Sequence, residues 1–228
     1  MILTPRWPRS TPLPVDRLLP GLSGRAHARS PDHSAGGRVS VIGGGAAAIR
    51  VQGLADVQFT RTAVEVPVIG LWKDGHEASS SHQLRHALAV ANAGAHVVAI
   101  DGTRRERPDG LSLSETVAGI HAESHALVMA DCGSFDDAVA AVEAGADLIG
   151  TTLSGYTGER PKTEGPDLAL LSLIASADLG KPLIAEGRIH TPAQARQALD
   201  AGAFAVVVGT AITHPATITG WFKGAMQA

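Results

Sequence analysis

One motif recurs along the chain at an interval too long for a single βα unit and about right for two. An Ala-rich helical stretch runs into Ala-Gly-Ala and then directly into a β-branched run. It reads AVANAGAHVVAID around Gly94, AAVEAGADLIGTT around Gly145 and QALDAGAFAVVVGT around Gly202, with a looser copy, IGGGAAAIRVQG, around Gly45. The intervals between these glycines are 49, 51 and 57 residues. Each glycine stands where a helix ends in the left-handed conformation, which favours a residue without a Cβ.

If each interval holds two βα units, a further strand falls midway through it. The apolar runs PVIGLW (67–72), ALVMAD (126–131) and PLIAEG (182–187) occupy those places. Continuous apolar runs suit strands buried on both faces, as in parallel sheets, and a proline is tolerated as a strand's first residue. Helix starts are legible too. Ser134 with Asp137 and Thr191 with Gln194 have capping-box spacing, and Pro192 takes the first helical position. Seven strands are expected, near 47–51, 67–72, 96–101, 126–131, 147–151, 182–186 and 204–208. Strands alternating with helices imply a parallel α/β sheet. An open doubly wound sheet competes, but the even fourfold spacing favours a (β/α)8 TIM barrel, and 228 residues suit one such domain.

The first unit should precede Gly45, where no comparable apolar run exists. Residues 1–40 hold six arginines against Asp16 and Asp32, and six of the chain's thirteen prolines. They are expected to form a basic, poorly ordered segment ahead of a single barrel domain at 41–228. The first strand unit is expected to be degenerate or missing, with a poor strand near Leu22–His27 as the alternative. Subtracting that +4 from the net −3 leaves −7 on the body, which argues against a nucleic-acid partner. Aromatics are only 4%, so the core must be built from Ala, Val, Leu and Ile. The single cysteine, Cys132, excludes an intrachain disulfide framework and a Cys-based zinc site, and suits a reducing, cytoplasmic setting. No apolar run reaches the roughly 18 residues of a membrane span, and no signal-peptide core stands near Met1.

In a TIM barrel the site is built at the C-terminal ends of the strands. Those positions hold Arg50, Lys73, Asp101, Asp131, Thr151 with Thr152, Glu186 with Arg188, and Gly209 with Thr210. Lys73 is expected inside the mouth, where desolvation and nearby cations would lower its pKa toward neutrality; otherwise it snorkels to solvent. Glu186 and Asp131 end buried strands, where a carboxylate is costly unless paired or used. The plain alternative for Glu186 is a salt bridge to a neighbour such as Arg188. Asp101 reads equally as an orienting residue or a cap. Gly187 and Arg188 after the seventh strand, with Gly209 and Thr210 after the eighth, fall where barrels bind phosphate. The ten histidines show no HExxH-type spacing, so no metal is expected. GGG at 43–45 lacks the lysine and preceding strand of a nucleotide loop.

These residues sit in AAIRVQG, VPVIGLWKD, VVAIDGTRRERPDG, MADCGSFDDAVAAVEAGADLIGTTLSGYT, PLIAEGRIHTPAQA and AVVVGTAITHPATITGWF. In order and spacing these segments resemble the N-acylglucosamine-6-phosphate 2-epimerase family over most of 46–222. The resemblance implies a cofactor-independent isomerase that interconverts N-acetylmannosamine-6-phosphate and N-acetylglucosamine-6-phosphate in sialic acid breakdown. It implies proton transfer at C2 by Lys73 and Glu186, with Arg50, Asp131 and Thr152 on the sugar. A homodimer is a further expectation.

Three departures stand out. Residues 1–44 lack the Ser-Cys-Gln-like motif that ends the family's first strand. DGHEASSSHQ follows Lys73 where relatives carry an aromatic and Thr-Pro-Thr. His214 stands where the family often has arginine. Two other functions remain open on the sequence: a decayed barrel that binds sugar phosphates without turnover, and an aldolase or decarboxylase using Lys73 as a Schiff base.

Overall fold

All seven expected strands are present in the computed structural model, which describes residues 2–5, 41–73 and 83–227. They are β2 (Ala48–Gln52), β3 (Val68–Leu71), β4 (Val97–Asp101), β5 (Leu127–Asp131), β6 (Leu148–Gly150), β7 (Leu183–Glu186) and β8 (Ala205–Val208). Each pairs in parallel with the next, from β2 to β8. Between them run α1 (Leu54–Ala63), α2 (Leu84–Asn92), α3 (Leu113–Glu123), α4 (Phe135–Glu143), α5 (Leu168–Ser176) and α6 (Pro192–Asp200). The short α7 (Thr210–Thr213) and α8 (Pro215–Ala225) end the chain.

The barrel is closed by a strand from the extreme N-terminus. β1 (Ile2–Pro5) lies between β8 and β2 and runs antiparallel to both. Its register runs from Ile2 opposite Val208 to Pro5 opposite Ala205, with Ile2 and Leu3 also facing Ile49 and Ala48. The first unit is thus degenerate, a four-residue strand in the reverse sense. Leu22–His27, the sequence's candidate, lies outside the described residues. Because β1 is reversed, its end at Pro5 meets the start of β8. The chain therefore leaves β1 on the face opposite the mouth, and this strand adds no C-terminal end to the site.

The helix ends follow the sequence logic. Gly94, Gly145 and Gly202 have φ of 100°, 94° and 103°, directly after the last turns of α2, α4 and α6. Thr191 and Gln194 form a reciprocal capping box on α6, as do Ser112 and Glu115 on α3. Ser134 caps α4 through the Asp137 amide at 3.2 Å, but the Asp137 carboxylate turns to the amides of Gly133 and Arg104 instead.

The core is aliphatic, as the composition requires. Ala48, Ile69, Leu71, Val97, Ala99, Met129, Ile184, Ala205 and Val207 form one cluster. Two others pack sheet residues against the helices, with Leu170, Leu171 and Ile174 of α5 fully sunk into one of them. Among the described residues, α8 differs from the other long helices in having no buried residue.

Candidate active site

Strand periodicity dictates which side chains meet at the mouth. Ala48, Met129 and Ile184 belong to one core cluster. Side chains two residues apart share a strand face, so the next groups on those faces are Arg50, Asp131 and Glu186. The three come from β2, β5 and β7, and all are buried. The Arg50 guanidinium makes a forked contact with Asp131, Nη1 to Oδ1 at 2.9 Å and Nη2 to Oδ2 at 2.5 Å. Nη1 also donates to Glu186 Oε2 at 2.5 Å. Thr152 completes the cluster, donating its hydroxyl to Asp131 Oδ1 at 2.7 Å and accepting from Arg50 at 3.3 Å. Gly150 leaves room for it, since a Cβ there would stand 2.5 Å from Met129 Cε and 3.2 Å from Asp131 Oδ1.

Two carboxylates around one cation leave the cluster short of positive charge. Burial, reinforced by the Asp131 charge, pushes the Glu186 carboxyl up to about 7, against the opposing pull of Arg50, Thr152 and Lys73. Burial alone would discourage charge on Arg50, but Asp131 and Glu186 outweigh it and hold the guanidinium firmly protonated. Glu186 therefore exchanges its proton near neutrality, the condition general acid–base catalysis favours.

A cavity of about 850 Å³ opens over this cluster. Arg50, Thr152 and Glu186 line it, as do Lys73, Gly187, Arg188, Gly209 and Thr210. Lys73 stands two residues beyond β3 and is exposed rather than enclosed, yet close enough to Glu186 to favour its charged form. Gly187 and Arg188 both have positive φ, 110° and 55°. For the arginine this left-handed conformation is uncommon and strained. Its guanidinium bonds the loop between β6 and α5: Nη1 to Ser154 O at 2.8 Å, Nε to Gly165 O at 3.1 Å and Nη2 to Thr163 Oγ1 at 3.0 Å. It also lies 5.5 Å from the centre of the Tyr156 ring.

The alternatives left open by the sequence now separate. Glu186 pairs with Arg50 of β2 rather than with Arg188. Asp101 orders the turn after β4, accepting from the Thr103 amide at 2.8 Å and from Arg105 at 2.6 Å, and caps no helix, since α3 is capped by Ser112. His214 caps α8, its Nδ1 accepting from Thr217. Among the described residues no three His, Cys, Asp or Glu side chains are grouped to hold a metal ion. Gln52 and Tyr156 also line the cavity, and neither was singled out. Gln52 could have been, since it follows Ala48 and Arg50 on the inward period of β2. Tyr156, the chain's one tyrosine, lies in a loop where no periodicity operates.

Known proteins resemble this chain over most of its length. The family model described as "Putative N-acetylmannosamine-6-phosphate epimerase" matches residues 37–228. The chain belongs to this family. A Cutibacterium acnes relative, named as a 2-epimerase of N-acetylmannosamine-6-phosphate, is 59% identical over 201 residues, covering 87% of this chain and 88% of its own. A Klebsiella pneumoniae relative of the same name is 46% identical over 187 residues, 81% of this chain and 77% of its own. The solved N-acetylmannosamine-6-phosphate 2-epimerase of Clostridium perfringens superposes with a TM-score of 0.78 at 34% identity, covering 88% of this chain and 90% of that one. A thiamine phosphate pyrophosphorylase from Pyrococcus furiosus, with TM-score 0.55 and 19% identity, shares the fold alone. The family is one of carbohydrate epimerases, enzymes of the isomerase class. Among the described residues no helix is long and apolar enough to cross a membrane.

Proposed function

We propose that this chain interconverts N-acetylmannosamine-6-phosphate and N-acetylglucosamine-6-phosphate by moving a proton at C2, within amino-sugar and sialic acid catabolism. The observation that carries the reading is the buried Arg50–Asp131–Glu186 cluster at the strand ends, with Glu186 poised at about 7 and Lys73 on the same cavity. Inverting C2 of the open-chain sugar requires a base to take the proton adjacent to the C1 aldehyde. The C–H electron pair then forms the C1–C2 double bond, and charge passes to the C1 oxygen. A proton returned to the opposite face of C2 restores the aldehyde with inverted configuration. Lys73 and Glu186 supply the two proton-transfer groups, one on each face. Arg50, fixed in charge, stabilises the enolate oxygen, while Asp131 beneath it holds the guanidinium and Thr152 in place and so acts on the sugar through them.

The 6-phosphate is assigned to Gly187, Arg188, Gly209 and Thr210, at the ends of β7 and β8. Arg188 has N–H groups beyond the three committed to the loop, so a phosphate contact and the loop clamp are compatible. A substrate charged at its phosphate does not cross a membrane unaided, which favours a cytoplasmic setting. A homodimer is part of the same reading, because α8 presents Trp221 and Phe222 in the open, with Met226 exposed just past its end; light scattering on the purified protein tests it. For the reaction, the test is proton NMR of the purified protein with either sugar phosphate in deuterated water. Loss of the C2 proton signal and appearance of the other epimer are expected. Absence of both would overturn the reading and leave binding without turnover.

A further inference from the structure

β6 is only three residues long, and the chain must leave the sheet at Thr151 to bring Thr152 onto Asp131. The departure is visible in the hydrogen bonds. Thr151 N–H still donates to Ile184 O at 3.1 Å, as a parallel ladder requires. The next rung would run from the Glu186 amide to the Thr151 carbonyl. That carbonyl is used elsewhere: it accepts from Ser154 N–H at 3.1 Å and closes the turn that carries Thr152. The Glu186 amide instead donates to Thr151 Oγ1 at 3.1 Å. The same hydroxyl donates to the Glu186 carbonyl at 3.1 Å. Thr151 is buried, so no bulk water replaces either bond.

We infer that Thr151 is a positioning residue for the reaction: its hydroxyl takes the place of the last β6–β7 rung and fixes the backbone from which the Glu186 carboxylate reaches Arg50. The need is local. Immediately after Glu186 the chain turns through two residues of positive φ, Gly187 and Arg188, so no continuing strand holds that end. Valine has the shape of threonine and a high strand propensity, yet it could neither donate to nor accept from Glu186. A hydroxyl is the smallest group that does both.

The kinetic part of this inference rests on the epimerase reading; the titration part does not. Thr151→Val is compared with Thr151→Ser and the unaltered enzyme. Turnover is followed by C2 exchange, and the Glu186 carboxyl by carbon NMR of protein labelled at glutamate, its signal assigned by loss in Glu186→Gln. Thr151→Val is expected to lower kcat by up to about 100-fold with KM little changed, the pattern of a misplaced catalytic group. The Glu186 titration should move upward as the carboxylate drifts from Arg50, and Thr151→Ser should restore most of both properties. Wild-type titration and kcat in Thr151→Val overturn the inference. So does a Thr151→Ser variant as impaired as the valine, which would assign the effect to the lost methyl. If Thr151→Val does not fold, Thr151→Ala carries the same comparison. An unaltered enzyme without C2 exchange overturns the epimerase reading alone, and the titration still decides the role of Thr151.

Discussion

At the scale of single residues, the site depends on how two buried carboxylates share one cation. The carboxyl of Glu186 stands at about 7 against an ordinary value of 4.5, so its proton is held more tightly in the folded chain than in the unfolded one. Its contribution to stability is therefore complete below about 4.5 and is lost as pH rises through about 7. The activity profile should show a limb at the same place. A rate that falls above about 7 assigns the acid role to Glu186, and one that rises through about 7 assigns the base role. Glu186→Gln should abolish C2 exchange without unfolding the protein; near-normal turnover in that variant removes Glu186 from the chemistry. Arg50→Met leaves two carboxylates facing each other without their cation, at an expected cost of about 3–5 kcal/mol, read as a lowered Tm. Its Glu186 titration should lie above that of the unaltered protein. Arg50, Asp131 and Glu186 were each legible as strand-end residues. Their pairing was not, because a strand gives a residue its face and height but not the neighbour across the barrel.

At the scale of elements, the helix ends and one loop make the sharpest tests. Gly202 combines a φ of 103° with a close approach, since a Cβ there would stand 2.4 Å from Ala175 Cβ on α5. Gly202→Ala meets backbone strain and a packing clash together, so a loss of about 1–3 kcal/mol is expected. In a domain of this size that is a fall in Tm of several degrees by calorimetry. An unchanged Tm would mean that α5 and α6 move apart freely. The Ala-Gly-Ala repeat made these caps readable because glycine takes the left-handed turn without strain, whereas the end of α5, where Asp178 takes φ of 44°, carries no such mark. Nothing comparable marked the loop between β6 and α5, which is organised by side chains distant in sequence. Burial would raise the Asp167 carboxyl, but Arg160, the Ser154 hydroxyl and the Leu170 amide hold it down at about 2. Arg188 ties the outer part of that loop to the end of β7. Arg188→Ala is therefore expected to do two things. It should weaken binding of the phosphorylated sugar by about 10- to 100-fold, the worth of a charge-assisted contact, and it should speed amide exchange over residues 154–165. Equal weakening for the unphosphorylated sugar would take Arg188 out of the phosphate site and leave it as a clamp.

At the scale of the whole molecule, the question is what closes the barrel. The seven parallel strands could be read because each is buried on both faces and leaves a continuous apolar run, such as ALVMAD or PLIAEG. β1 leaves no such trace. It has four residues, ends in proline and takes its hydrogen-bonding partners in the reverse sense. A short reversed strand needs no crossover helix, so the βα period on which the sequence reading relied does not extend to it. Its hold is also uneven: four residue pairs join it to β8 and two join it to β2. Two residue pairs also join β3 to β4 and β6 to β7, but those seams lie inside the parallel sheet. β1 is a four-residue strand at a chain end, so the seam between β1 and β2 is where the barrel should open first. Deleting residues 1–5 would leave β2 and β8 as bare edges, exposing strand groups that invite association with other chains. The expected result is a protein of lower Tm that aggregates on warming, with faster amide exchange in β2 and β8 while β4 and β5 stay protected. C2 exchange should fall as well, because Arg50 stands on β2 and Gly209 directly follows β8. A truncated protein that matched the full chain in exchange at both strands and in turnover would show that β1 does not close the barrel in solution, and that seven strands suffice to hold the site.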